Sequence, residues 1–218
     1  QVSSHRLYRM AVFWLSLAIS GAKHILGIRY ELRGLEHLPA PGQPAILLVK
    51  HQSTYETFLM PVIMPSDLAY VFKKELLYVP FFGWGIGRLD MIHIDRKLRN
   101  KAFQKVVSQG RDLLDRGIWV IMFPEGTRID RGQAGTYKAG GTRLAIETGV
   151  PVIPIAVNSA RCWPRKALIK YPGTVTVSIG PMIESTGRQP EEMMQQVEHW
   201  IESEMHRLDP EAYAVTTA

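Results

Sequence analysis

Ala45-Ile46-Leu47-Leu48-Val49-Lys50-His51-Gln52-Ser53-Thr54-Tyr55-Glu56 is the stretch on which the fold of this 218-residue chain turns. Its first five residues form an aliphatic run behind Pro44, the mark of a short strand buried on both faces. A histidine just past such a strand, with a carboxylate five positions on, has the makings of a general base and its orienting partner. Imidazole exchanges a proton near neutral pH, and a carboxylate on one ring nitrogen fixes the tautomer. Five residues of ideal helix turn through about 500°, which leaves the two side chains roughly 140° apart. His51 and Glu56 therefore meet only if His51 lies in the loop before a helix and Glu56 in its first turn. Ser53 is a natural N-cap for a helix beginning near Thr54. The same residues also fit a plainer pattern, since Ser53-x-x-Glu56 is a capping box that satisfies the first amides of a helix. The two readings are compatible, because a carboxylate has two oxygens.

Working outward, 46% of the residues are hydrophobic and 21% charged, ordinary for one globular domain of this length. The net charge of +6 and a pI near 9.5 favour anionic partners such as phosphorylated substrates or an anionic membrane surface. Nucleic acid is disfavoured, because the basic residues are dispersed and no recognition motif accompanies them. A single cysteine, Cys162, excludes an internal disulfide and any multi-cysteine metal site. The remaining histidines lack metal-ligand spacing, so no metal is expected.

Met10 to Ala22 is the most apolar stretch, 13 residues without a charge, against the about 20 that a bilayer span takes. Arg6 and Arg9 precede it, and Lys23 and His24 follow. It reads either as a helix lying in one leaflet, with basic flanks at the headgroups, or as a helix packed on the protein's own core. The charge and Trp14 favour the membrane. Residues 1–28 are accordingly expected to be a membrane-associating segment, and 29–218 the catalytic domain. Ile28, Tyr30 and Leu32 alternate as an edge strand. A helix from Thr54 is broken by Pro61 and Pro65, and Leu68 to Phe72 is a further strand. Between residues 73 and 96, a mixture of aromatics, glycine and proline is poor helix and poor strand, and reads as an exposed apolar rim in preference to a tightly packed core loop. Residues 99–116 place Phe103, Val106, Val107, Leu113 and Leu114 on one helical stripe. Ile118 to Phe123 and Val152 to Val157 are buried strands on either side of a short helix at 141–148. Thr174 to Ile179 is another strand, and Pro190 opens a last amphipathic helix. Strands alternating with helices predict an α/β sandwich, partly parallel.

Four blocks then stand in a telling order: His51-x4-Glu56; Lys73-Lys74 through Pro80-Phe81-Phe82-Gly83 to Asp95-Arg96; Phe123-Pro124-Glu125-Gly126-Thr127-Arg128; and Val150-Pro151-Val152-Ile153-Pro154-Ile155. From about Tyr30 to Ser185 the chain resembles the glycerolipid acyltransferase family, most closely its bacterial 1-acylglycerol-3-phosphate acyltransferases. The first and third blocks are the specific ones. The resemblance implies a mixed sheet flanked by helices. It also implies a reaction in which an acyl thioester, on coenzyme A or acyl-carrier protein, is the co-substrate and no cofactor is needed. His51 matches the family's catalytic base. Glu56 stands where the family usually has aspartate, one methylene longer but still a carboxylate. Lys73 or Lys74, Arg96 and Arg128 match positions associated with the acceptor's phosphate, and Glu125, Gly126 and Thr127 shape that site. The strand through Val152, Ile153 and Pro154 matches one that lines the acyl or acceptor pocket.

The chemistry agrees with the resemblance. A glycerol hydroxyl is a poor nucleophile near neutral pH, and a positioned base contributes about 10²–10⁴ in rate. A thiolate leaves readily, so no covalent enzyme intermediate is required. Ser53 lacks a nucleophile elbow and serves better as the cap; Cys162 has no motif around it and reads as structural. The expected product is phosphatidic acid, made by a membrane-associated enzyme on the cytoplasmic face of a bacterial inner membrane. The rival readings are the same chemistry on a lyso-ornithine lipid or another lysophospholipid, and a non-catalytic peripheral lipid-binding protein in which 51–56 only caps a helix.

Overall fold

The aliphatic run before His51 is the middle strand of a seven-stranded sheet. The computed structural model describes residues 3–40, 42–95 and 99–214, so Arg96 lies outside the described residues. The strands are β1 (Ile28–Arg33), β2 (Ile46–Val49), β3 (Leu68–Lys73), β4 (Ile92–Ile94), β5 (Trp119–Met122), β6 (Val152–Val157) and β7 (Gly173–Ile179). Their order across the sheet is β1-β7-β6-β2-β5-β3-β4. From β6 to β4 all neighbours are parallel; β7 runs antiparallel to β6, and β1 parallel to β7.

Successive side chains of a strand point to opposite faces, and here both faces are covered. Leu47 and Val49 join Ile121, Ile153 and Ile155 on one face, under α1 (Ser4–Ile25) and α2 (Tyr55–Ile63). Ile46 and Leu48 join Val120 and Val152 on the other, under α4 (Arg99–Asp115), α5 (Gly140–Thr148) and α6 (Pro190–Leu208). Burial on both faces is why these strands are apolar throughout rather than alternating. Two short helices, α3 (Phe82–Ile86) and α7 (Pro210–Tyr213), complete the described elements.

Two local expectations are corrected. Pro61 does not end α2, which runs through it to Ile63. Proline has no N–H for the carbonyl four residues back, and that carbonyl, of Thr57, instead accepts a hydrogen bond from the Tyr70 hydroxyl on β3 at 3.0 Å. Within 73–96 the chain forms a 3₁₀ turn at Lys74–Tyr78, the helix α3, and the strand β4 against β3. Its Tyr78, Phe81, Phe82 and Trp84 are exposed, so the rim itself is present.

α1 packs on the domain along one face and leaves the other bare. Tyr8, Ile19 and Ala22 are buried against the domain, and the Tyr8 hydroxyl accepts a hydrogen bond from the Leu68 amide at 2.8 Å. Met10, Phe13, Trp14 and Leu17 form an apolar stripe on the opposite, solvent-facing side. No helix among the described residues is long and apolar enough to cross a membrane.

The turn after β1 rests on Gly34, whose φ of 76° belongs to the left-handed region. A Cβ added there would lie 2.1 Å from the Ile179 carbonyl oxygen, the oxygen to which His37 Nδ1 donates at 2.8 Å. Gly34→Ala is therefore expected to destabilise the protein by about 2 kcal/mol or more, read as a lowered urea midpoint with an unchanged slope.

Candidate active site

β6, β2 and β5 are parallel neighbours, so their carboxyl ends lie side by side, the edge at which open α/β sheets bind ligands. β2 delivers Lys50 and His51, β5 delivers the Phe123–Arg128 turn, and β6 delivers Asn158 and Ser159. α2 begins at Tyr55, one residue later than expected, with Glu56 in its first turn. His51 thus lies in the loop and Glu56 on the helix, the only arrangement that lets them meet.

Glu56 Oε1 accepts from His51 Nδ1 at 2.9 Å and from the Gln52 and Ser53 amides, each at 2.7 Å. Its Oε2 accepts from the hydroxyls of Ser53 at 3.0 Å and Ser159 at 2.6 Å. Ser53 Oγ in turn accepts from the Tyr55 amide at 2.8 Å. The dyad therefore shares its carboxylate with half of the expected capping box: Glu56 takes the Ser53 amide, but Thr54 rather than Ser53 is the N-cap and Ser53 Oγ binds the Tyr55 amide instead of that of Glu56. Burial pushes the Glu56 carboxyl upward, but the His51 hydrogen bond and charge, with those from Ser159 and Ser53, outweigh it and hold the group below the usual glutamate range. An ionised carboxylate can only accept, so Nδ1 of His51 carries a proton, and in the neutral ring the lone pair sits on Nε2. The His51 ring stacks on Phe123, with centroids 3.8 Å apart and planes at 14°, and 12% of its side chain stays exposed. Nε2 has no hydrogen-bond partner among the described residues. One ring nitrogen is held and the other is free.

The backbone of His51 is fixed from the β5 side. Its N–H donates to Glu125 Oε2 at 2.9 Å, and its carbonyl accepts from the Ile129 amide at 2.8 Å. The other Glu125 oxygen meets Lys50 Nζ at 2.7 Å, and Lys50, wholly buried, also meets Glu202 Oε1 of α6 at 2.7 Å and the Gln133 carbonyl at 3.2 Å. The Tyr137 hydroxyl donates to the same Glu202 oxygen at 2.7 Å. Burial pushes the Glu125 carboxyl up, with Lys50 pulling it back and Glu202 adding to the rise. Glu125 thus spends both oxygens inside the protein and shapes the turn from beneath.

The rest of that turn faces outward. Gly126 takes a φ of 68°, and its amide donates to the Phe123 carbonyl at 2.9 Å, closing a reversal that suits glycine. Thr127 is exposed and Arg128 half-buried. Arg128 Nε is buried with no hydrogen-bond partner among the described residues, while the Arg128 carbonyl accepts from Arg165 at 2.6 Å. Lys73 and Lys74 are exposed at the carboxyl end of β3, the neighbour of β5. Near them Lys105 Nζ lies 2.7 Å from His93 Nε2. Burial, then Lys105 and Lys74, hold His93 below the usual histidine range, so it accepts from the lysine as a neutral ring. Val152, Ile153 and Pro154 lie wholly within the sheet, and β6 reaches the site through Ser159 beyond its end. No group of three His, Cys, Asp or Glu among the described residues could hold a metal ion. Cys162 is free and buried, its thiol pushed up by that burial.

Ser159, Lys50, Tyr137 and Glu202 were not anticipated from the sequence. Lys50 adjoins His51, but only its burial distinguishes it from a surface lysine. No local signal marks the other three.

Two expectations follow for stability. Ionised Glu56 has a folded-state value below its unfolded one of about 4.3, so its stabilisation is complete above that pH and fades as pH falls through the folded value. Glu56→Gln should lower stability at pH 7 by about 2 kcal/mol, and urea unfolding at decreasing pH should show the gap closing below about pH 4.3. Lys50→Met leaves the buried Glu125 and the half-buried Glu202 without a cation and should remove about 3–5 kcal/mol. That deficit should likewise narrow on acidification, and from a higher pH, because burial already raises the Glu125 value and loss of Lys50 raises it further.

Comparison with known proteins agrees with this geometry. The acyltransferase family model matches residues 29–158. The chain is 44% identical to a 1-acyl-sn-glycerol-3-phosphate acyltransferase of Pseudomonas aeruginosa over 93% of its own length and 79% of the relative's. It is 32% identical to the mouse 1-acyl-sn-glycerol-3-phosphate acyltransferase alpha, covering 82% of this chain and 63% of the mouse protein. Its fold superposes on the crystal structure of the Thermotoga maritima 1-acyl-sn-glycerophosphate acyltransferase, PlsC, with a TM-score of 0.76 at 24% identity, over 93% of this chain and 79% of that one. With the family model spanning the His51–Glu56 pair, the Phe123–Arg128 turn and the whole of β6, the chain belongs to the acyltransferase family.

Proposed function

We propose that this protein transfers an acyl group from an acyl thioester to the sn-2 hydroxyl of 1-acyl-sn-glycerol-3-phosphate, giving phosphatidic acid. The observation that carries the reading is the His51–Glu56 pair, with Nδ1 committed to a buried carboxylate and Nε2 unengaged. The names of the relatives support the choice of acceptor.

In this mechanism Nε2 takes the proton of the acceptor hydroxyl as its oxygen attacks the thioester carbonyl. Glu56 stabilises the resulting imidazolium without itself taking the proton. The tetrahedral intermediate collapses to the ester and expels the thiolate of coenzyme A or acyl-carrier protein, which recovers the proton from His51. Arg128 grips the acceptor's phosphate, since its planar fork matches that group and its buried Nε has no other partner. Lys73 and Lys74, at the end of the next strand, add positive charge, and the sequence offers Arg96 for the same task. Gly126 and Thr127 form the turn that presents Arg128, and Glu125 fixes its base. The residues 152–154 act from beneath as the strand that supports Ser159.

The acceptor and product are bilayer lipids, so the site works at a membrane surface. The outward stripe of α1, with Arg6, Arg9 and Lys23 around it, docks there from the cytoplasmic side, and the rim from Tyr78 to Trp84 joins it. Residues 1–28 serve as the docking segment and 29–218 as the catalytic domain.

The deciding assay follows a labelled acyl group from thioester to lysophosphatidate in detergent micelles. His51→Ala should lose at least about a hundredfold in kcat. Arg128→Ala should raise KM for lysophosphatidate about tenfold and leave KM for a lysophospholipid without a phosphomonoester unchanged. Equal use of both acceptors by the wild type would move the reading to another lysophospholipid or a lyso-ornithine lipid. Unimpaired transfer by His51→Ala would sink it.

A further inference from the structure

The loop from Arg161 to Pro172 carries an apolar tip that no other described residue covers. It contains Arg161, Arg165, Lys166 and Lys170 and no acidic residue. Leu168 is 99% exposed, more than any other large apolar side chain among the described residues, and Ile169 and Tyr171 are exposed beside it.

This exposure is not the accident of a slack loop. The Tyr171 amide donates to the Cys162 carbonyl at 2.9 Å, and the Trp163 amide to the Ser159 carbonyl at 2.8 Å. The Lys170 ammonium lies 5.0 Å over the Trp163 ring, and that ring lies 5.9 Å from Tyr55 at the start of α2. Lys166 holds a φ of 57°, a left-handed conformation that a residue with a side chain adopts reluctantly. A braced turn that keeps aliphatic side chains in water marks an interaction surface.

Charge and position select the partner. Arg161 and Arg165 are shared with Glu211 at 3.7 Å and Asp130 at 3.9 Å, whereas no acidic group offsets Lys166 or Lys170 among the described residues. Apolar side chains flanked by lysines suit an anionic lipid surface. The Gly173 amide donates to the Gly27 carbonyl at 3.1 Å, tying the base of the loop to the end of α1. There the outward stripe of α1 finishes in exposed Ile25 and Leu26. The two apolar surfaces share one junction.

We propose that residues 164–171 are a second lipid-inserting element, seating Leu168, Ile169 and Tyr171 among acyl chains with Lys166 and Lys170 at anionic headgroups. The proposal rests on the reading of the site as one that draws its acceptor from a bilayer. It adds where that acceptor enters. Arg165 is hydrogen-bonded to the carbonyl of Arg128, so the phosphate-binding turn leans directly on the inserting loop.

The test uses the whole chain with vesicles of phosphatidylglycerol and phosphatidylcholine. Ile169→Cys is labelled with an environment-sensitive fluorophore, the native Cys162 being buried, and the double variant L168S/I169S is sedimented beside wild type. The label should shift to the blue on anionic vesicles, and the double variant should lose about tenfold in partition coefficient at an unchanged melting temperature. A label that stays water-like while wild type sediments, with L168S/I169S sedimenting equally, would overturn the loop proposal and leave acyl transfer and α1 docking standing. Failure of wild type to sediment at all would overturn membrane docking and this proposal together. Unchanged vesicle binding by L168S/I169S with a raised KM for acyl-carrier-protein donor would reassign the tip to a protein surface.

Discussion

Everything at this site depends on keeping one carboxylate ionised where no water reaches it. Glu56 is wholly buried, and an unpaired charge there would be expelled as the neutral acid. Five donors prevent that: the His51 ring, the amides of Gln52 and Ser53, and the hydroxyls of Ser53 and Ser159. Four of them come from the segment that turns β2 into α2, so forming the turn and charging the carboxylate are one event. The fifth comes from the end of β6, which cannot reach Glu56 unless the sheet is assembled. Fold and the His51 tautomer are therefore coupled, because the Glu56 anion can only accept and so holds the proton on Nδ1.

A second buried charge cluster holds the histidine's backbone rather than its ring. Lys50 lies between Glu125 and Glu202 and joins the end of β2, the turn after β5 and helix α6. Such clusters gain little net stability over an apolar core of equal volume, yet lose heavily when one member is removed. What this one gives is placement. Glu125 holds the His51 amide only because Lys50 fixes its other oxygen. Successive residues thus face opposite ways, Lys50 into the core and His51 towards the open side of the site.

The parts of this arrangement that local sequence can encode were legible in it. The aliphatic runs of β2, β5 and β6 announce strands covered on both faces. The five-residue spacing of His51 and Glu56 already dictates a loop-to-helix boundary between them. What stayed hidden is chemistry between distant segments. Lys50 and Glu202 are 152 residues apart, and Glu56 and Ser159 are 103; neither pairing leaves a periodicity or a motif. Pro61 misleads for the same reason, since the hydroxyl that satisfies the freed Thr57 carbonyl belongs to another element. β4 is only three residues long, Ile92–Ile94, too short for an alternating pattern to stand out.

The choice of glutamate rather than aspartate at position 56 is best understood through those same hydrogen bonds. From the first turn of α2 the carboxylate reaches back over Gln52 and Ser53 to the imidazole with one oxygen and across to Ser159 with the other. An aspartate at the same backbone position would hold its carboxylate one methylene nearer the helix, and the loop or β6 would have to close the difference. The substitution is therefore not a free exchange of one acid for another. The longer acid belongs with this loop and with Ser159, and the three form a set that keeps the same nitrogen of His51 protonated and the other one open.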